Sequence, residues 1–130
     1  MFDWKKPTVQ MLGRWQPWHD GHQALFKRCI KKKGQVIIQV RDVHGASGGK
    51  DQEDNPFDWV TVCKNIQDGL LEDGFKRGVH YEIMLVPNIV NITYGRTVGY
   101  SIEEEFFDAT TESISATKIR RKMREDGDLN

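Results

Sequence analysis

The sequence predicts an α/β domain. Short apolar runs rich in Val and Ile, at Val9–Leu12, Val36–Val40, Tyr81–Val86 and, more weakly, Ile89–Ile92, fit strands covered on both faces. Between them lie stretches of helical periodicity, and glycine or proline separates each pattern from the next. Strand–helix alternation of this kind implies βαβ units and a parallel sheet, here of about four or five strands flanked by helices, in a Rossmann-like arrangement. At 130 residues the chain fits a single domain spanning residues 1–130.

Taken in order, Val9–Leu12 is the first strand and Gly13 lets the chain turn off it. A helix follows over Gln23–Lys33, where Leu25, Phe26, Cys29 and Ile30 form one stripe and Gly34 stops it. After the second strand, the long segment Asp42–Asp54 carries Gly45, Gly48, Gly49 and many charges, a composition typical of functional lids or disordered loops. Asn55 is placed to cap a second helix with Pro56 in its first turn. Its apolar face is Trp59, Cys63, Ile66 and Leu70, and Gly74 is its stop. The last helix, Ala116–Glu125, buries Ile119 and Met123 and shows Arg120 and Arg124 on another face. Open parallel sheets bind ligands beyond the carboxyl ends of their strands, where the strand order reverses. The loops after Leu12, Val40 and Val86 are therefore the places for a site.

Composition narrows the function. Lys+Arg and Asp+Glu both number 19, so net charge gives no reason to expect a nucleic-acid partner. No apolar stretch is long enough to span a membrane, and MFDWKKPTV lacks the apolar core of a signal peptide. Cys29 and Cys63 fall on apolar helix faces and read as buried thiols, which suits a reducing cytoplasm. The basic runs Lys31–Lys33 and Arg121–Arg124 read as solvated helix surface.

The densest chemistry lies in Gly13–His22, GRWQPWHDGH, where the first strand runs into the first helix. Asp20 can cap that helix, whose unpaired N–H groups attract anions. His19 and His22 stand three residues apart at the turn, so both rings can face one ligand, and Arg14 adds a planar donor fork suited to phosphate. Two solvated imidazoles without a ligand, or a metal pair with Asp20, are the competing accounts. A second cradle is Ile114–Arg120, ISATKIR, with Ser115 as N-cap and Thr117 and Arg120 in the following turn. Its plain account is a capped helix with a basic face. The segment Gly45–Lys50 fails the spacing of a phosphate loop, because His44 and Asp51 stand where Gly and Ser or Thr are required, though Lys50 could still reach a triphosphate.

The His19-Asp20-Gly21-His22 signature after a first strand resembles the cytidylyltransferase-like nucleotidyltransferase superfamily. The longer Gly13–Trp18 run is most similar to nicotinamide-mononucleotide adenylyltransferases, with Trp15 and Trp18 where that group usually has Phe. The closing Ile-Ser-x-Thr-x-Ile-Arg resembles the turn by which the superfamily grips the β- and γ-phosphates. The resemblance covers essentially the whole chain.

It implies that His19 and His22 are catalytic, stabilising the α-phosphoryl group. Gly13, Arg14, Gln16, Gly21, Ser115, Thr117 and Arg120 would bind nucleotide or phosphate, with Lys50 as an outlying candidate. Mg²⁺ is implied with the nucleoside triphosphate, without an all-protein metal site. The partners would be that triphosphate and a small phosphorylated acceptor, with no nucleic acid or membrane. A homo-oligomer is compatible with the sequence.

The base is divided. Arg14, Gln16 and Asn55-Pro56-Phe57 lean toward adenylyl transfer, whereas the short chain and the Ile-Ser-x-Thr-Lys-Ile run lean toward glycerol-phosphate cytidylyltransferases. The balance falls slightly to adenylyl transfer. A non-catalytic nucleotide sensor is the alternative from another class, although such a sensor would be free to lose His19 and His22.

Overall fold

The structure is a computed structural model that describes residues 1–44, 55–96 and 99–127. Three strands, β1 (Val9–Gly13), β2 (Val36–Arg41) and β3 (Tyr81–Val86), form a parallel sheet in the order β1-β2-β3. Helix α1 (Asp20–Lys33) connects the first two strands, and α2 (Trp59–Glu72) precedes the third. Two further helices, α3 (Ala109–Glu112) and α4 (Ala116–Glu125), close the described chain. None of the helices among the described residues is long and apolar enough to cross a membrane.

The register explains the core. Met11 pairs with Ile38, Ile38 with Ile83 and Val36 with Tyr81, so these side chains share one face of the sheet. All of them are buried, together with Phe26 from α1 and Val62, Ile66 and Leu70 from α2. Both helices therefore cover the same face, where successive crossovers of one hand stepping in one direction must lay them. The opposite face carries Gln10, Leu12, Ile37, Gln39, Arg41, Glu82 and Met84, of which none is buried, and only Val86 at the end of β3 is covered there. Burial in β2 alternates residue by residue.

This corrects the expectation of strands covered on both faces. It also removes the fourth strand: Ile89–Ile92 is irregular, so the described residues hold three strands rather than four or five. Pro87 ends β3, its carbonyl accepts from the Ile89 amide in a tight turn, and Val90 is left 80% exposed. The strand order contains no reversal among the described residues, so β1 lies at an edge of the sheet.

Helix ends differ by a few residues from the expected ones. α1 begins at Asp20, and its N-cap is His19 rather than Asp20. Asp58, not Asn55, caps α2 by accepting from the Thr61 amide at 2.9 Å, and the helix starts at Trp59. The buried stripe of α2 is Val62, Ile66 and Leu70, with Trp59 and Cys63 packed at its margin. α4 runs over the expected residues from a Ser115 cap, but Arg120, expected on an open face with Arg124, is 2% exposed. Cys29 and Cys63 are free thiols.

Candidate functional site

The loop from Gly13 to His19 is built around two tryptophans. Trp15 adopts φ of 55°, the left-handed region that a bulky residue reaches at a cost of about 1–2 kcal/mol. That turn folds its indole back over the end of β1. A Cβ on Gly13 would lie 2.8 Å from the Trp15 ring, so only glycine admits this packing. The indole is buried, donates from Nε1 to the Gln39 carbonyl at 3.0 Å, and stands edge-on to His22 with centroids 4.7 Å apart. Trp18 packs beside it and donates to Gln23 Oε1 at 2.7 Å. The strain at residue 15 is thus offset by burying two aromatic rings, and together they wall the inner side of His22.

Both histidines cap the start of α1. His19 Nδ1 accepts from the Gly21 amide at 3.0 Å and the His22 amide at 3.4 Å. In return His22 Nδ1 accepts from the His19 amide at 3.1 Å. The two rings stack, with centroids 3.6 Å apart and planes inclined by 18°. A nitrogen that accepts carries no proton, so this pattern assigns the proton of each ring to Nε2. The bare Cα of Gly21 makes room for the pair, since a Cβ there would meet His19 Cε1 at 2.9 Å.

Electrostatics agree with that assignment. Burial, and then the neighbouring His19, lowers the His22 pKa to about 3. Burial also lowers His19, partly opposed by the Asp20 carboxylate. At neutral pH the site therefore presents two neutral Nε2–H donors. Their Nδ1 atoms bond to the positive end of the helix, which polarises each ring toward stronger donation at Nε2.

Sequence-distant segments meet at this turn. Ile114 packs against Gly21, its Cβ 3.8 Å from where a Cβ would stand. Arg120 reaches back from α4 and donates to the Gln16 carbonyl, and its Nη2 bonds Thr117 Oγ1 at 3.3 Å. Ser115 and Thr117 are thereby carried to the neighbourhood of the imidazole pair. Ser115 Oγ caps α4 through the Lys118 amide at 3.4 Å.

The remaining expected residues sort differently. The Gln16 amide is buried and committed to Phe57, accepting from its amide at 2.9 Å and donating to its carbonyl at 3.0 Å. Gln16 thus ties the loop to the approach to α2 and does not face a phosphate, contrary to the sequence expectation. Gly13 makes room for the Trp15 ring. Arg14 bonds Asn55 Oδ1 at 3.0 Å, which explains why Asn55 is buried away from the helix end it was expected to cap. Arg120, expected as an open phosphate ligand, is a buried brace between Thr117 and the loop. Lys50 lies outside the described residues. The sequence carried no local signal for Asn55, Phe57 or the Gln39 carbonyl as loop anchors, because each acts across more than twenty residues of chain.

An open groove of about 420 Å³ lies between α1 and α2, with His19 at its end. Asp20, Glu72 and Asp73 line it together with Lys27, which pairs with Asp73 at 3.0 Å. No protein-family model matches this chain, and no curated protein matches it either.

Proposed function

We propose that the chain is a nucleotidyltransferase on a Rossmann-like α/β framework. It moves a nucleoside monophosphate from a nucleoside triphosphate to a phosphate-bearing acceptor and releases pyrophosphate. The observation that carries the reading is the meeting of the His19–His22 pair with the Ile114–Arg120 turn at the carboxyl end of β1. Each segment alone has a plain structural account. Their convergence, together with the resemblance of both to the cytidylyltransferase-like superfamily, favours a shared polyphosphate site.

In this reading an acceptor phosphate oxygen attacks the α-phosphorus in line, and the bond to the bridging oxygen breaks as pyrophosphate leaves. An acceptor phosphate is already anionic at neutral pH, so no activated side chain is required and positioning supplies much of the rate. His19 and His22 donate from Nε2 to the crowded α-phosphoryl oxygens as charge builds there. Ser115 and Thr117 hold the departing pyrophosphate, with Arg120 fixing Thr117 from behind. Arg14 orients phosphates, since a guanidinium has five N–H donors and the bond to Asn55 fixes its plane without exhausting them.

Mg²⁺ fits as part of the substrate. Imidazole N–H and hydroxyl groups suit phosphate oxygens better than a hard cation. Mg²⁺ would come in with the triphosphate as part of the substrate and would neutralise its charge.

Arg14 and the Asn55-Pro56-Phe57 run favour adenylyl transfer of the nicotinamide-mononucleotide type over cytidylyl transfer to glycerol phosphate. The deciding experiment screens ATP and CTP against nicotinamide mononucleotide, pantetheine phosphate and glycerol phosphate, with pyrophosphate as readout. Release with one pair is expected. Nucleotide binding without release from any pair would favour the sensor reading instead. His22→Ala should lower turnover by about 10² or more, the usual cost of a lost preorganised donor, and a variant with wild-type turnover would remove His22 from the chemistry.

A further inference from the structure

Segment 103–114 runs along α1 in the opposite direction, touching it at several points. Near the carboxyl end of the helix, Lys32 Nζ lies 3.1 Å from Glu105 and 3.6 Å from Glu103, and Arg28 lies 3.6 Å from Glu105. Arg28 also donates to the Phe106 carbonyl and sits 4.0 Å over the Phe107 ring. Directly afterwards Asp108 caps α3, accepting from the Thr111 amide at 2.7 Å. The Ile114 amide bonds the Thr111 carbonyl, and Ile114 then reaches Gly21 at the other end of α1.

We infer that Arg28 and Lys32, with Glu103 and Glu105, form an ionic clasp that positions the Ser113–Arg120 turn against the imidazole pair. These are positioning residues, since the clasp stands about 10 Å or more along the helix from His22 at a rise of 1.5 Å per residue. The reason a clasp is needed lies in the chain that precedes it. After Val86 the described residues form neither helix nor strand until Ala109, so the turn follows a long tether whose ordering costs entropy. Fixing residues 103–107 on α1 shortens the tether that must be ordered to seat Ile114. Lys32 and Glu105 are suited to this because their side chains are only 26% and 22% exposed, which limits screening by salt. The aromatic contact of Arg28 adds an attraction that a lysine at that position would reproduce poorly.

The ligand consequence rests on the transferase reading, but the positioning itself does not, and the test separates them. Hydrogen exchange of the 113–120 amides is followed in the wild type, Lys32→Met, Glu105→Gln, the double variant and Lys32→Arg. Amides of β2 serve as the folding control. Each neutral variant should speed exchange at 113–120 about two- to fivefold, the range of a partly exposed ion pair. The double variant should add little beyond either single one, and Lys32→Arg should keep wild-type protection. Unchanged exchange at 113–120 in both singles, or equal losses for Arg and Met at position 32, would overturn the clasp. In the same proteins the KM for the triphosphate should rise by a similar factor with kcat preserved. A wild type that binds and turns over no triphosphate would end the transferase reading, while the exchange pattern would still decide the clasp.

Discussion

At the scale of single residues, the decisive feature is that two histidines spend one ring nitrogen each on the backbone of the helix they begin. This fixes a proton on each Nε2 and keeps both rings uncharged, since burial lowers His22 to about 3 and lowers His19 as well. The consequence for stability follows from linkage. Between the unfolded value near 6.5 and the folded value of His22, the unfolded chain binds more protons than the native one. Stability is thus fully present above pH ~6.5 and falls on acidification toward about 3, by at most about 1.4 kcal/mol per pH unit from this residue. Thermal unfolding across that range should show a slope that His22→Gln reduces, and an equal slope in the variant would contradict the buried neutral ring. On the proposed transferase reading, the same chemistry sets the activity profile. Neutral donors predict a rate that does not fall as pH rises through about 6.5, the ordinary histidine value. A descending limb at that pH would mean that an imidazolium does the work.

At the scale of elements, α4 shows how far the sequence can be read and where it stops. Its bounds and its Ser115 cap were legible because capping is local, and the Ile119–Met123 stripe marks a helix without help from the rest of the fold. The fate of Arg120 was not legible. A guanidinium beside a hydroxyl-rich helix start reads as a phosphate ligand until the Gln16 carbonyl is found within its reach, and that contact spans most of the chain. Gln16 and Asn55 were misjudged for the same reason, since their partners Phe57 and Arg14 are distant in sequence. By contrast, the His19–His22 turn was visible because all its parts lie within four residues, and only the cap was assigned to the wrong neighbour. Burial of Arg120 carries its own prediction. Arg120→Ala should destabilise the fold by about 1–3 kcal/mol by leaving a loop carbonyl without its donor. Arg120→Lys should recover little of that, because a point charge cannot serve Thr117 and Gln16 from one plane. Denaturant midpoints of the two variants measure this, and an Arg120→Ala protein as stable as the wild type would contradict the bracing role.

At the scale of the whole molecule, the helices α1 and α2 lie on one face of the sheet, and the site is built at the edge strand on that same face. Met11 and Gly13 of β1 point to the helix side, so the Trp15 ring, His22 and the returning α4 all rest on the layer that holds the core. The one-sided cover was hard to read from β2, because Ile37 extends the apolar run Val36–Ile38 and only Gln39 and Arg41 mark the open face. A run of this kind reads as a strand buried from both sides. The two faces of β2 should nevertheless respond very differently to the same deletion. Ile38 is fully buried among residues of both neighbouring strands and two helices, so Ile38→Ala removes packed atoms and leaves a cavity, at about 2–5 kcal/mol. Ile37 is half-buried on the opposite face, where solvent can fill the space left behind, and Ile37→Ala should cost about 1 kcal/mol. Equal costs at the two positions would mean that another layer covers the second face in solution. In that case chain beyond the described residues, or a second copy of the protein, would have to supply it, and sedimentation of the Ile37→Ala variant against the wild type would tell these apart. A cost confined to Ile38 instead makes the sheet a support loaded from one side, on which loosening the core also loosens the floor under the imidazole pair. On the proposed transferase reading, turnover should then fall in Ile38→Ala at temperatures well below its unfolding transition, while Ile37→Ala keeps the wild-type rate.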